Sequence, residues 1–334
     1  MKVPRRRFGR TGMEVPAVTF GGGWVGGLLI HGSEAARDEA LERAMAAGID
    51  WIDTAALYGD GVSETVIGGW LRGRAPADRP RLSTKFNVDI AAGDLEAQVF
   101  ASLEASFERL GVSHVPLIYL HNQILADDNF DTEGRNIRIG ELLAPGGAAD
   151  LLDKVRAQGL CDWIGITGLG DPAPLRQAVD SGRFDAIQVY YNLLNPTAER
   201  AAGAGWNSTD FGGLLQACAA QDMGVMNIRI FAGGYLASTE RHGREIPITD
   251  NAEDTAEAAR AEAVFGQLGE AYGSRAQTAL RFGLACPQVS TIVLGLAEGA
   301  HLTEALQAVE AGPLPQEAIE GLRTVWEGDP AFRS

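Results

Sequence analysis

One stretch of this chain decides its fold: Trp51-Ile52-Asp53-Thr54-Ala55-Ala56-Leu57-Tyr58-Gly59, an apolar strand that ends in a carboxylate and turns towards a tyrosine. Ile49, Trp51 and Asp53 share one side of that strand, so a carboxylate points the same way as two large apolar side chains. A carboxylate there needs a cation or several hydrogen-bond donors nearby, and a functional site supplies both. The alternative is that Asp53 caps the next helix and Tyr58 lies on the surface.

Strand-like and helix-like segments alternate on both sides of this stretch. We predict strands at 15–20, 49–54, 81–86, 115–121, 163–167, 186–190, 224–229 and 291–294. Helical patterns occupy 34–47, 63–71, 95–110, 149–158, 173–181 and 211–220, a pair within 253–286, 300–309, and a C-terminal 314–326. About eight repeats of strand and helix predict an α/β fold, a (β/α)8 TIM barrel, as one domain spanning residues 1–334.

Three further segments complete the predicted architecture. Residues 8–15, with Gly9 and Gly12 around polar turn residues, predict an N-terminal β-hairpin. The connections 122–147 and 232–252, after the fourth and seventh strands, are long for such units. Both follow the strand ends where barrels of this kind build their active sites, so we expect them to wall or cover a pocket.

The composition restricts the partners of the protein. Forty-four acidic residues against 28 basic ones give a formal net charge of −16, which repels nucleic acid and anionic membranes. The basic start lacks the apolar run of a signal peptide, and no apolar segment of about 18 residues occurs, so we expect a soluble cytoplasmic protein. The three cysteines and five histidines lack the spacing of sequential metal ligands, and we predict no metal site.

A glycine-rich segment, Gly21-Gly22-Gly23-Trp24-Val25-Gly26, fits the pattern GxGxxG after a strand and is typical of a Rossmann dinucleotide-binding unit. The next helix begins only near Glu34, however, and eight strand–helix units leave no separate six-stranded half. We therefore favour a loop in which glycine permits close backbone approach.

Polar side chains close two further strands. Lys85 closes the third, and His121 closes the fourth after a strongly apolar run. Alone, such a lysine is usually a surface residue and such a histidine a satisfied core group. If the strands are parallel neighbours, however, both meet Asp53 at one end of the barrel, with Tyr58 one short loop above. Four titratable groups converging there indicate an active site.

The chemistry of these four groups is coherent. A phenol is a poor proton donor at neutral pH, but a neighbouring ammonium favours the phenolate. Asp53 would hold Lys85 and keep it charged, while His121 polarises or orients a carbonyl and Tyr58 gives or takes the proton. Such a site protonates an oxyanion and contains no nucleophile. It needs a hydride source, for which a bound nicotinamide is the natural candidate.

These motifs resemble the aldo-keto reductases over nearly the whole chain. Residues 7–12 are similar to the N-terminal hairpin signature of that family, and 52–55 with 57–59 to its Asp/Tyr motif. Residues 83–85 match its lysine strand, and 119–121 its histidine strand. The resemblance implies that the catalytic tetrad is Asp53, Tyr58, Lys85 and His121.

The resemblance also implies a cofactor site. Gln188 is similar to the glutamine that binds the nicotinamide carboxamide. Thr167 keeps a hydroxyl where the family usually has a Ser-Asn pair, but Gly168 has no amide to offer.

The segment after the seventh strand departs from the family pattern. Ile228 stands where an aromatic residue would usually stack on the nicotinamide. Arg229 replaces a phosphate-contacting serine and could reach the pyrophosphate, or it could be an outward, salt-bridged arginine. Gly233 and Gly234, with Gly295 and Glu298 after the eighth strand, complete the predicted cofactor residues.

Residues 295–305 follow the eighth strand, where many members of the family carry a base against the 2′-phosphate of NADP. This segment contains no lysine or arginine, and Glu298 would repel a phosphate but could accept a hydrogen bond from a ribose hydroxyl. Protonated His301, or Arg229 or Arg275 from neighbouring loops, could offset this repulsion. We predict NAD as the cofactor, with NADP possible, and a bias towards oxidation.

The predicted function is nicotinamide-dependent interconversion of an aldehyde, ketone or aldose with its alcohol or lactone. Trp24, Asn122 and Gln123 are the predicted pocket residues, and the two amides favour a hydroxylated small-molecule substrate. The alternatives are an NADPH-dependent carbonyl reductase and a redox-sensing regulatory barrel with slow turnover. A metal-dependent barrel hydrolase is disfavoured because Lys85 and Tyr58 would occupy ligand positions.

Overall fold

Eight parallel strands close into a barrel in the computed structural model of this protein, which describes residues 2–23, 25–127, 136–240 and 254–333. The barrel strands are β1 (Val18–Gly21), β2 (Trp51–Asp53), β3 (Arg81–Phe86), β4 (Val115–Leu120), β5 (Cys161–Gly168), β6 (Ala186–Tyr190), β7 (Gly224–Ile228) and β8 (Thr291–Gly295). Each pairs in parallel with the next, and β8 pairs with β1. The predicted (β/α)8 barrel is confirmed.

Helices connect the strands. The longer ones are Glu34–Ala46, Val62–Arg72, Leu95–Leu110, Ala148–Ala157, Pro172–Asp180, Leu214–Ala220, Asp254–Leu268, Arg275–Ala285, Gly299–Ala311 and Gln316–Gly328. Short helices span Leu28–His31 and Ile139–Leu143. Within the described ranges, no helix is both long enough and apolar enough to cross a membrane.

Helix Leu95–Leu110 shows how local sequence sets these elements. The Asp94 side chain accepts a hydrogen bond from the Ala97 backbone amide and caps the start of the helix. Gly111 adopts the left-handed conformation that ends it, with φ of 66°. The helical period places one apolar stripe against the barrel, with these residues buried: Val99, Leu103, Phe107 and Leu110.

Two predicted elements differ clearly from those observed. The predicted strand 15–20 is two strands, since Met13–Pro16 pairs antiparallel with Arg5–Phe8 while β1 pairs with β8 and β2. Pro16, which has no backbone N–H to donate to a sheet, ends the hairpin strand and marks the change of partner. The helix predicted at 211–220 begins at Leu214, because Gly212 and Gly213 have φ of 58° and 71° and cannot continue a right-handed helix.

The N-terminal hairpin closes the barrel end opposite the strand C-termini. Phe8 is fully buried, with its ring 5.6 Å from that of Trp51 inside the barrel. Gly224 leaves room for this ring, since a Cβ there would lie 2.5 Å from Phe8. Arg6 donates hydrogen bonds to the carbonyl oxygens of Leu284 and Val289, at 2.5 and 2.8 Å. The basic start of the chain therefore fastens the hairpin to the barrel.

The two long connections lie partly outside the described residues. After β4, Gln123–Leu125 pairs in parallel with Asn136–Arg138, and the intervening 128–135 is not described. After β7, the chain is described to residue 240 and again from 254. The prediction that these segments cover a pocket therefore concerns, in part, residues outside the described ranges.

Candidate active site

Asp53 and Lys85 form a buried ion pair at the C-terminal ends of β2 and β3. Lys85 Nζ lies 2.6 Å from Asp53 Oδ2, and the two side chains are 0% and 2% exposed. The same ammonium donates to the Thr54 carbonyl at 2.7 Å and to the Tyr58 hydroxyl oxygen at 3.1 Å. All three N–H groups of Lys85 therefore have partners within the site.

Neighbouring groups stabilise the positive charge of the buried Lys85 side chain. Burial disfavours the ammonium, but the Asp53 carboxylate and then Tyr58 outweigh it and raise the pKa of Lys85 above its usual value. The site therefore holds a permanent cation 3.1 Å from a phenol oxygen.

Strand register explains why the predicted residues meet. Asp53 pairs with Ser83, and Lys85 lies two positions further along β3 on the same inward face. Lys85 pairs with Tyr119 of β4, so His121 emerges from the next strand just above it. The His121 ring meets the Tyr58 ring edge-on, with centroids 5.7 Å apart and an interplanar angle of 82°. The predicted convergence of the four side chains is present.

The loop that carries Tyr58 is held at both ends. The Thr54 and Ser63 hydroxyls share a hydrogen bond of 2.9 Å, which joins the end of β2 to the start of the next helix. Gly59 and Gly61 have φ of 62° and 84°, a conformation that side chains other than glycine adopt at a cost. This closed turn fixes Tyr58 over Lys85.

The glycine-rich segment after β1 is a loop against the active site. The Gly22 amide donates to the Asp53 carbonyl at 2.8 Å, and a Cβ on Gly22 would lie 2.5 Å from Ser63 Oγ. A Cβ on Gly26 would lie 2.5 Å from the backbone nitrogen of Leu296, after β8. Glycine allows close backbone approach here, as the sequence predicted, and the barrel topology excludes the Rossmann alternative for this segment.

The sequence analysis did not predict the hydrogen bonds that Asp53 accepts from side chains of two other barrel strands. Ser83 Oγ donates to Asp53 Oδ1 at 2.7 Å, and Gln188 Nε2 donates to the same oxygen at 3.0 Å. Trp51 Nε1 donates to Ser83 Oγ at 3.0 Å. The only sequence signal for Ser83 is that it shares the strand parity of Lys85.

The predicted cofactor residues of β5 and β6 are neighbours. Gln188 pairs in register with Thr167, and both are almost fully buried. The Thr167 hydroxyl donates to the Leu120 carbonyl at 3.1 Å. A Cβ at Gly168 would lie 2.6 Å from the Gln188 carbonyl oxygen, so this backbone has no room for an asparagine at this position.

The turn after β7 is conformationally unusual. Arg229 and Ala232 have φ of 59° and 46°, and Gly233 and Gly234 have φ of 66° and 118°. The Asn192 side chain donates to the Arg229 carbonyl at 2.9 Å and holds the turn in place. Non-glycine residues in this region are strained, and such strain is common at ligand sites. Arg229 and Ala232 are therefore held in strained backbone conformations after β7.

The segment after β8 is contacted by a charged residue from elsewhere in the chain. Glu298 is exposed and lies 3.4 Å from His301 Nε2, while the Ala297 amide donates to His301 Nδ1 at 3.3 Å. Arg43, from the helix Glu34–Ala46, donates to the Gly299 carbonyl at 3.3 Å. A cation from another part of the chain therefore approaches this segment, which the sequence of 295–305 alone does not reveal.

The predicted pocket residues have different positions. Trp24 lies outside the described residues. The Asn122 side chain is fully buried and exchanges two hydrogen bonds with the Val88 backbone, at 2.9 and 2.7 Å, so it holds two loops together. Gln123 begins a short strand and is partly exposed. Leu57, 39% exposed beside Tyr58, adds an apolar side chain at the rim. Contact of Trp24, Asn122 or Gln123 with substrate stays a prediction.

Comparison with known proteins places the chain among barrel oxidoreductases. The model of the Aldo/keto reductase family matches residues 17–327. D-threo-aldose 1-dehydrogenase of a Pseudomonas species is 32% identical over 262 residues, which cover 70% of this chain and 71% of the relative. L-galactose dehydrogenase of Arabidopsis thaliana is 25% identical, with 98% and 95% covered, and pyridoxal 4-dehydrogenase of Microbacterium luteolum is 25% identical, with 87% and 89% covered.

Solved structures show the same fold. The holo form of aldo-keto reductase AKR11C1 from Bacillus halodurans superposes with a TM-score of 0.71 at 18% identity, covering 97% of this chain and 96% of the other. The apo form of the same protein gives a TM-score of 0.68 at 20% identity, with the same coverage. At this identity the likeness concerns the fold alone.

Proposed function

Because this chain belongs to the aldo/keto reductase family and is an NAD(P)-dependent oxidoreductase, we propose that it oxidises a hydroxyl group of a sugar or sugar-like substrate with NAD. The observation that carries the proposal is the buried Lys85 ammonium, shared between Asp53 and Tyr58 at 2.6 and 3.1 Å. The relatives support the direction of the reaction, since three of them are named dehydrogenases and two of those names are of sugars.

The residues fit a nicotinamide cofactor. The Gln188 amide and the Thr167 hydroxyl lie side by side at the ends of β5 and β6. Arg229 directly follows Ile228, which pairs in register with Tyr190 at the end of β6. When bound, the nicotinamide would take the hydride from the alcohol carbon. Gln188 and Thr167 would hold its carboxamide, and Arg229, Gly233 and Gly234 its phosphates.

The side chains would perform the proton chemistry. Lys85 donates to the Tyr58 oxygen and so favours the phenolate, which accepts the hydroxyl proton of the substrate. The His121 ring, edge-on to Tyr58, would orient the same substrate oxygen. Asp53 holds Lys85 in place and does not reach the substrate, because both of its oxygens already accept hydrogen bonds from protein groups.

The choice of NAD rests on the segment after β8. Exposed Glu298 would repel a 2′-phosphate and could accept a hydrogen bond from a ribose hydroxyl. Gly295, exposed at the end of β8, would leave the approach to this segment open. One observation favours the second candidate, an NADPH-dependent carbonyl reductase: Arg43 reaches the Gly299 carbonyl and brings a positive charge to this segment.

Turnover of a substrate panel tests the proposal. Aldoses, including L-galactose, and pyridoxal are offered with NAD and with NADP, and simple aldehydes are offered with NADH and NADPH. We expect the highest kcat/KM for oxidation of a sugar with NAD, and loss of that activity in Tyr58→Phe. Reduction of aldehydes with NADPH and no oxidation of any sugar would support the second candidate instead.

A further inference from the structure

A directed chain of hydrogen bonds connects the interior of the barrel to the active site. Trp51 Nε1 donates to Ser83 Oγ at 3.0 Å, and Ser83 Oγ lies 2.7 Å from Asp53 Oδ1. Indole nitrogen can only donate, so the Ser83 oxygen must accept from Trp51 and turn its own proton towards Asp53. All three residues are at most 1% exposed, so water does not compete for these bonds.

We propose that Ser83 is a positioning residue of the reaction. Trp51 orients the Ser83 hydroxyl, and Ser83 in turn keeps one N–H of Lys85 available to Tyr58. This inference rests on the proposed function of the site. Asp53 Oδ1 is occupied by Ser83 and Gln188, so only Oδ2 is left for Lys85. The carboxylate therefore binds the ammonium through one oxygen, and the N–H that points at Tyr58 is not diverted.

Removing Ser83 would change this arrangement in a defined direction. With only the 3.0 Å bond from Gln188 left on Oδ1, the carboxylate is free to turn that oxygen towards Lys85. The ammonium then binds Asp53 more closely and donates less to Tyr58, so the phenolate is less favoured. Oxidation should consequently need a higher pH.

One further titratable group near Asp53 does not contribute to the limb of the pH profile. Besides Lys85, Tyr58 and His121 at the mouth, the Tyr119 phenol faces Asp53 from β4. Burial, with a further contribution from the Asp53 charge, raises the pKa of Tyr119 well above its usual value, so this phenol stays neutral over the range in which the enzyme would be assayed.

The neighbouring residue on β3 provides a matched control. The Thr84 hydroxyl donates to Glu64, a fully buried carboxylate on the helix Val62–Arg72 outside the barrel, which also binds Arg109 at 2.6 Å. Ser83→Ala and Thr84→Val each remove one hydroxyl donor from a buried carboxylate. Only the carboxylate that Ser83 binds faces the active site.

The experiment compares kcat against pH for sugar oxidation, together with thermal unfolding, in these variants of the full-length enzyme. We expect both to lower the unfolding temperature. Ser83→Ala alone should move the rising limb of the profile to higher pH by about half a pH unit or more. This shift corresponds to a fraction of the free energy of one hydrogen bond to a charged group. Its KM for NAD should stay within about twofold of the wild type, since Ser83 lies below the cofactor residues.

Two more variants keep the test decisive. Ser83→Thr keeps the hydroxyl and should restore the limb towards its wild-type position. Trp51→Phe keeps the ring but removes the orienting N–H, and should shift the limb in the same direction by a smaller amount. If Ser83→Ala does not fold, an unshifted limb in Trp51→Phe overturns the proposal.

The remaining outcomes separate this inference from the proposed function. An unshifted limb in Ser83→Ala, or equal shifts in Ser83→Ala and Thr84→Val, overturns the positioning role while leaving the function intact if Tyr58→Phe is inactive. Full turnover in Tyr58→Phe would overturn both.

Discussion

Gln188 donates a hydrogen bond of 3.0 Å across the barrel to Asp53, a residue 135 positions earlier in the chain. The bond joins the end of β6, where the cofactor site is proposed, to the carboxylate that holds Lys85. The proton chemistry and the cofactor site therefore share one buried hydrogen-bond network.

Replacing Tyr58 by phenylalanine should remove the proposed proton acceptor while keeping the ring that packs against His121. We expect kcat to fall by at least ~10²-fold, the usual effect of losing positioned acid–base catalysis. Cofactor binding, measured by quenching of protein fluorescence, should change little. A variant that keeps more than half of wild-type turnover, with chemistry limiting, would contradict the assignment.

Replacing Lys85 by methionine should affect both activity and stability. Asp53 would then be a buried carboxylate with only Ser83 and Gln188 as donors, and we expect unfolding free energy to fall by about 3 kcal/mol, near the lower end for breaking a buried pair. The loss of activity, expressed as an increase in activation free energy, should exceed this loss of unfolding free energy. The limb of the pH–rate profile for oxidation should move to higher pH, because the cation beside Tyr58 is gone.

Denaturant titrations of Lys85→Met and of the double variant Asp53→Asn/Lys85→Met measure the stability effect. The double variant should regain part of the lost stability, because no uncompensated charge remains buried. Equal stability of the wild type and the single variant would show that the ion pair is not buried as the structure has it.

The stability that Lys85 supplies should depend on pH in one direction. Burial lowers the pKa of Lys85, but Asp53 and Tyr58 together raise it by more than burial lowers it. The folded pKa therefore lies above the unfolded value of about 10.4. A raised folded pKa means that the contribution is complete below the unfolded pKa and is lost as pH rises through the folded pKa. The difference in unfolding free energy between wild type and Lys85→Met should be constant from about pH 7 to 9 and shrink above about pH 10.4. A difference that grows with rising pH would contradict this linkage.

Introducing alanine at Gly168 should destabilise the barrel. A Cβ there would lie 2.6 Å from the backbone oxygen of Gln188, so a strand must shift, and we expect a loss of about 1–3 kcal/mol. Gly295→Ala is the control, because a Cβ at the end of β8 meets no atom within 4 Å. Chemical denaturation of both variants tests this, and equal stabilities would mean that the backbone at Gly168 is not confined.

Cofactor preference should depend on Glu298. We expect the wild type to prefer NAD, and Glu298→Arg to move kcat/KM towards NADP by about tenfold, or about 1.4 kcal/mol, because a repulsive charge becomes attractive. Arg43→Met serves as the companion variant. A tenfold preference of the wild type for NADP would contradict the assignment of NAD, and its loss in Arg43→Met would identify the cation responsible.

The sequence by itself determined the architecture and predicted that four particular side chains meet at one end of the barrel. Alternation with period two marks strands and the 3.6-residue period marks helices, and both patterns are local, so eight units were recognisable without the structure. Asp53, Lys85 and His121 stand at the ends of consecutive strands, and parallel pairing brings consecutive strand ends together. The elements predicted at 81–86, 95–110 and 186–190 have these bounds in the structure.

Only the tertiary structure decided which groups complete the site. Ser83 and Gln188 meet Asp53 because of the register and closure of the barrel, which join residues 30 and 135 positions apart and leave no pattern within a single strand. The same holds for Arg43 at the Gly299 carbonyl and for Asn122, whose amide binds the Val88 backbone. A polar side chain in the sequence shows what it can donate or accept, but its partner depends on which strands and loops the closed barrel brings within about 3 Å.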